Sequence, residues 1–189
     1  MSKNSSNTEI NSISQAQADM CRGYANGSVG IIVSGLVWLT SAIVSFQFSD
    51  KQAIWSLLIG GMFIFPLSML VGKVMRISGT NTKGNPLANL AMEGTFFMLM
   101  CLPVAFGLSL QHNEWFFQAM MMIIGGRYLT FNSIYGIRLY WILGALLGIA
   151  SFLLFTFHVK SFGSILTGSL IEIIFGFFMF VTFRKKPNN

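Results

Sequence analysis

An all-α membrane bundle, six transmembrane helices joined by short loops, is the fold this sequence predicts. Three observations predict it. Of the 189 residues, 53% are hydrophobic and only 10% are charged, whereas a soluble domain carries about 25% charged residues on its water-facing surface. Six apolar runs, at about 27–48, 54–72, 88–110, 115–134, 139–157 and 162–183, each approach the ~20 residues that cross a bilayer core. Finally, the basic residues segregate to alternate connections.

The segments are read in order. Residues 1–25 form a polar leader that lacks the apolar stretch of a signal peptide. Its first part, to about residue 11, is Ser- and Asn-rich and is expected to be disordered. Ile10, Ile13, Met20 and Tyr24 fall near one face, which suits either a short interfacial helix or a frayed lead-in. The transmembrane domain is expected over 26–184 and a basic tail over 185–189. Asp50-Lys51 turns the chain between the first two runs, and KVMRISGTNTKGNP (Lys73 to Pro86) makes the longest loop. Gln111 to Glu114 and His158 to Lys160 close two further runs, while Asn132 to Arg138 is a weaker break.

With six spans, one side holds Lys3, Arg22, Lys73, Arg76, Lys83, Arg138 and the Arg184 to Lys186 cluster, and the other holds Lys51 and Lys160. The positive-inside rule then puts both termini in the cytoplasm. The same scatter of basic residues beside apolar runs argues against nucleic acid as the partner of a chain with net charge +6. The expected partner is the lipid bilayer, with a second copy or another membrane protein as further candidates.

Small residues mark packing faces. Asn26, Gly30, Ser34, Ser41 and Ser45 form a stripe in the first run, Gly144 and Gly148 a GxxxG pair in the fifth, and Ser164, Gly168, Glu172 and Gly176 an i, i+4 row in the sixth. Such faces let membrane helices approach closely. Gly60-Gly61, Pro66, Pro103 and Gly125-Gly126 suit either kinks or ordinary membrane-helix composition.

Three ionisable residues fall at membrane depth: Glu93, Arg127 and Glu172. From their run ends they lie ~8, ~18 and ~15 Å deep. A charge at a helix centre costs about 2.5–3.5 kcal/mol on insertion scales, so Arg127 is expected to pair with Glu172, Glu93 or both. Such a centre either locks helices together or exchanges partners as an ion, proton or solute passes. Asn89, Tyr128, Asn132 and Tyr135 are candidate polar lining. On the opposite side, His112, Glu114 and His158 have the chemistry of metal ligands, but their spacing demands no metal.

No GxSxG, HExxH, Walker A or dinucleotide-binding motif is present. No enzyme activity and no cofactor are therefore expected. Small-solute or ion transport through the charged centre is the expected function. The alternative is a non-transporting assembly, sensor or stabilising protein in which the charges are structural.

The stretches RGYANGSVGIIVSGLVW (Arg22 to Trp38) and GNPLANLAMEGTFFMLM (Gly84 to Met100) resemble a family of small bacterial integral membrane proteins of unknown function. The resemblance implies a bacterial inner-membrane setting and transfers no substrate and no functional residue.

Overall fold

In the computed structural model, residue 10 and residues 12–185 are described. Most of the expected disordered leader and of the basic tail, with Lys3 and Lys186 of the charge asymmetry, lies outside them. The described residues form seven α-helices and one 3₁₀ turn, with no strand among them. The short α1 (Ile13–Tyr24) leads through the turn Ala25–Gly27 into α2 (Ser28–Gln47). Then follow α3 (Asp50–Val74), α4 (Pro86–Ser109), α5 (Asn113–Tyr135), α6 (Leu139–Thr156) and α7 (Ser161–Lys185).

Local chemistry sets several boundaries. The Ser49 hydroxyl caps α3 by accepting from the Gln52 amide, and Asn85 caps α4 by accepting from Leu87 with Pro86 in the first turn. At the end of α5, Gly136 takes φ +66° and its N–H reaches the Asn132 carbonyl, the left-handed ending that glycine adopts without strain. This settles the weak break that the sequence left between the fourth and fifth runs.

Five helical segments are long and apolar enough to cross a membrane: the α1–α2 stretch, whose apolar part is α2, then α3, α4, α6 and α7. The exception is α5, which carries Glu114, Gln118, Arg127 and Asn132. Its position explains its polarity. It packs on α6 and α4 and also meets α7, α3 and α1, so much of its surface touches protein. Meanwhile α2 packs lengthwise on α7 and on α3. The helices α3 and α4 lie at the periphery and leave Met62, Phe65, Phe97 and Met100 exposed. Exposed apolar surface on that scale suits a lipid environment better than water.

Between lipid-embedded helices, burial of apolar surface gives little driving force, so close approach must supply the packing energy. Two crossings do so. At α5–α6, a Cβ on Gly144 would stand 2.6 Å from the Gly125 carbonyl oxygen and 2.7 Å from Leu129. At α2–α7, a Cβ on Gly176 would stand 2.9 Å from the Ile32 amide nitrogen, and one on Gly35 3.0 Å from that of Ile173. Ser169 adds a 2.9 Å hydrogen bond to the Gly35 carbonyl. Gly168 is looser, 3.2 Å from Met121 and 3.3 Å from Trp38. A Cβ on Gly148 would meet only Met122, at an ordinary 3.6 Å, although its backbone nitrogen lies 3.3 Å from a Cβ on Gly125; the tightest contact of the GxxxG pair is made by Gly144, with Gly125 as its partner.

A second set of bonds ties α1 across the basic end of the bundle. The Asp19 carboxylate accepts from the Thr82 amide at 2.9 Å, the Thr82 hydroxyl at 2.8 Å and the Asn85 amide at 2.8 Å. Asn85 also donates to the Ala16 carbonyl, Gly79 N–H to the Gly23 carbonyl, and Tyr24 to Asn81. Partial burial alone would raise the Asp19 pKa, but these hydrogen bonds, with Arg22 nearby, outweigh it and hold the carboxyl below its ordinary value. Thus α1 is docked on the protein's own loop.

The glycine geometry separates four similar residues. Gly125→Ala and Gly144→Ala should each destabilise by about 1–3 kcal/mol, because backbone must move, whereas Gly126→Ala and Gly148→Ala should be near neutral. Thermal unfolding in detergent checks the order.

Candidate functional site

The row Ser164, Gly168, Glu172 and Gly176 is buried along α7, so its small residues bring α2 close and carry Glu172 into the centre. The Glu172 side chain is 1% exposed. Its Oε1 accepts a 2.8 Å hydrogen bond from the Tyr128 hydroxyl of α5. Its Oε2 has no hydrogen-bond partner. Buried Ser34 of α2 lies close enough to interact with the carboxyl, but without hydrogen-bond geometry to Oε2. Three helices therefore meet at a carboxyl that is half satisfied.

Arg127 precedes Tyr128 but points elsewhere. Its Nη2 donates to Thr95 Oγ1 of α4 at 3.0 Å, and Nη1 lies 3.8 Å from Met98 Sδ. The guanidinium carbon sits 5.2 Å over the Phe131 ring, while buried Nε lacks a partner. The expected ion pair is not made: among the described residues the one carboxylate–cation contact within 4.0 Å is His112 Nδ1 to Glu114 Oε1, at 3.6 Å. The reason is helical phase. Consecutive residues on α5 point roughly 100° apart, so Tyr128 faces α7 and Arg127 faces α4. Glu172 and Arg127 still influence each other electrostatically across that step.

Glu93 is exposed on α4. It stands two positions from Thr95, on the far side of the helix from Arg127. Asn89 is exposed one turn earlier, and Asn132 is half-buried near the end of α5. Tyr135 is buried and stacks on Tyr140 at 5.5 Å, which stacks on Tyr128 at 6.1 Å. Phe131 meets all three rings edge-on. From the middle ring of this aromatic column the Tyr140 hydroxyl donates to the Asn26 carbonyl. The structure thus joins Tyr128, Glu172 and Tyr135 through one buried column, keeps Arg127 beside it, and leaves Glu93 and Asn89 outside. Tyr140, Thr95 and Ser34 complete the arrangement. Ser34 stood out in the sequence only as a packing residue, and Tyr140 and Thr95 carried no distinguishing signal.

A separate polar knot holds the other half of the bundle. Gln118 of α5, 2% exposed, donates to the Val159 carbonyl and the Ser164 hydroxyl, and Ser151 donates to the Gln118 carbonyl at 2.6 Å. In the turn after α6, His158 is exposed, and no group of three His, Cys, Asp or Glu able to hold a metal is found among the described residues. His112, Glu114 and His158 are therefore not assembled into a ligand set. An open apolar hollow of about 270 Å³, lined by Leu39, Ile43, Phe46, Phe162 and Leu166, contains none of the polar-centre residues.

Several membrane-length apolar helices around a buried, half-satisfied carboxyl define an all-helical protein of multi-pass type. The chain belongs to a family of unknown function, DUF7010, whose model matches residues 13–182. No curated protein and no solved structure matches the chain.

The geometry ranks the couplings. In double-mutant cycles on stability, Tyr128→Phe with Glu172→Leu should return about 1–2 kcal/mol, as expected for a buried hydrogen bond to a carboxyl group. Arg127→Met with Glu172→Leu should return less.

Proposed function

We propose that this chain is a six-span protein of a bacterial inner membrane, both termini cytoplasmic, that moves a small solute or ion through its buried polar centre. In this reading α5 is the remaining span. Its 23 residues reach ~34 Å at 1.5 Å per residue, enough for a core of ~30 Å. The observation that carries the reading is the carboxyl of Glu172, 1% exposed, hydrogen-bonded by Tyr128 with Ser34 beside it, and with no cation within 4.0 Å among the described residues. An ionisable group kept at such depth without a counter-charge is costly, and function is the ordinary reason for one. Not locked in an ion pair, it is free to take a proton or a cation. Tyr128 orients it, and Arg127, held by Thr95 on α4, sets the local field without quenching it by direct contact.

A second reading, assembly with a membrane partner in place of transport, draws on a different observation. The outward face of α4 carries exposed Glu93 beside Phe97 and Met100. A carboxylate on such a face is better satisfied by protein than by lipid tails.

Reconstitution in liposomes separates the two. Wild type should carry a proton or small-cation flux that Glu172→Gln lowers at least about tenfold while remaining folded. No wild-type flux across protons, alkali cations and small organic solutes, together with a partner that co-purifies and is lost on Glu93→Leu, would overturn the transport reading.

A further inference from the structure

The turn between α1 and α2 has an unusual backbone. Ala25, Asn26 and Gly27 take φ of +49°, +58° and +76° in succession. Only glycine enters this left-handed region freely; Ala is strained there and Asn less so. Such a conformation persists only where its surroundings enforce it, and here the surroundings are specific. Tyr140 donates to the Asn26 carbonyl, and a Cβ on Gly27 would collide with the Tyr140 hydroxyl and lie 3.0 Å from Tyr135. The strained turn is thus seated on the tyrosine column that continues to Tyr128 and Glu172.

What lies beyond the turn is docked by many polar contacts and a small apolar set. Besides the Asp19 bonds to Thr82 and Asn85, Gln17 donates to the Ser133 carbonyl at 2.8 Å and the Cys21 thiol to the Tyr135 carbonyl at 3.2 Å. Apolar burial on α1 is confined to Ala16 and the core residue Met20, with Cys21 and Tyr24 packed partly buried beside them. Hydrogen bonds that water can replace hold an element more weakly than a packed apolar face does, so such a segment opens at low cost.

We infer that α1 is a hinged cap over the tyrosine column, closed in this structure and opening about Ala25–Gly27 to admit water and solute toward Glu172. The inference rests on the reading of Glu172 as the working carboxyl. Asp19 is the latch and the Thr82–Asn85 segment its keeper. Strain stored in the turn favours release, and the Tyr140 bond to Asn26 reports closure directly to the column.

Cys21 supplies a natural reporter, since its thiol faces Tyr135 beneath the cap. In a Cys101→Ser background, a water-soluble maleimide should modify Cys21 slowly in the wild-type cap. It should act about tenfold faster in Asp19→Asn, which weakens a charge-assisted anchor, and several-fold faster in Asn26→Ala, which raises the strain of the closed turn. In a Cys21→Ser background carrying the same cap changes, Cys101 on α4 should stay unmodified, which separates hinging from unfolding. Equal Cys21 rates in all variants would overturn the cap, as would a parallel rise at Cys101. Labelling does not depend on flux. If labelling behaves as stated but liposomes show no flux, the transport reading falls and the hinge stands; flux with unchanged labelling overturns the cap alone.

Discussion

The hydrogen bond from the Tyr128 hydroxyl to Oε1 of Glu172, 2.8 Å long and fully buried, is the constraint on which the rest of the bundle depends. A carboxyl at that depth must meet a donor or raise the energy of the whole fold. Meeting it requires α5 and α7 to lie at side-chain contact near the middle of their length, with α2 closing the third side. The glycines at the α2–α7 crossing make this possible, since Gly35 and Gly176 let two backbones approach where any Cβ would intrude. The α5–α6 crossing at Gly125 and Gly144 then backs α5 from the other side. Packing and polar satisfaction therefore select the same arrangement.

That arrangement divides the helices by task. The central α5 tolerates Gln118 and Arg127 because neighbouring elements receive them: Val159 of the α6–α7 loop and Ser164 of α7 take the first, and Thr95 of α4 the second. The outer α3 and α4 carry the lipid-matched apolar surface. Polarity along a helix is here a mark of central position, and for that reason α5 falls short of the apolarity that its neighbours show.

Much of this was legible in the chain itself. The i, i+4 row on α7 placed Glu172 on a small-residue face, because helical period alone determines which residues share a face. The partner of Arg127 was not legible. Depth along the axis suggested a match with Glu172, but pairing also depends on azimuth, and that is set by which helices are neighbours. The same gap hid Gly125 as the partner of Gly144. The docked α1 was the least readable element, since Asp19 finds its donors 63 and 66 residues away. Its local cues were modest: a single acid within the helical part of the leader and an Asn-Pro pair that starts α4.

The central claim is that Glu172 is retained for its carboxyl chemistry and not as a strut. Thermal unfolding of wild type and Glu172→Gln in the same detergent tests it most directly. Gln keeps an oxygen for the Tyr128 hydroxyl and removes the ionisable group, so the account predicts a variant as stable as wild type or more stable. A loss of several kcal/mol, of the size seen when one partner of a buried pair is removed, would contradict it and make the carboxyl a structural tie.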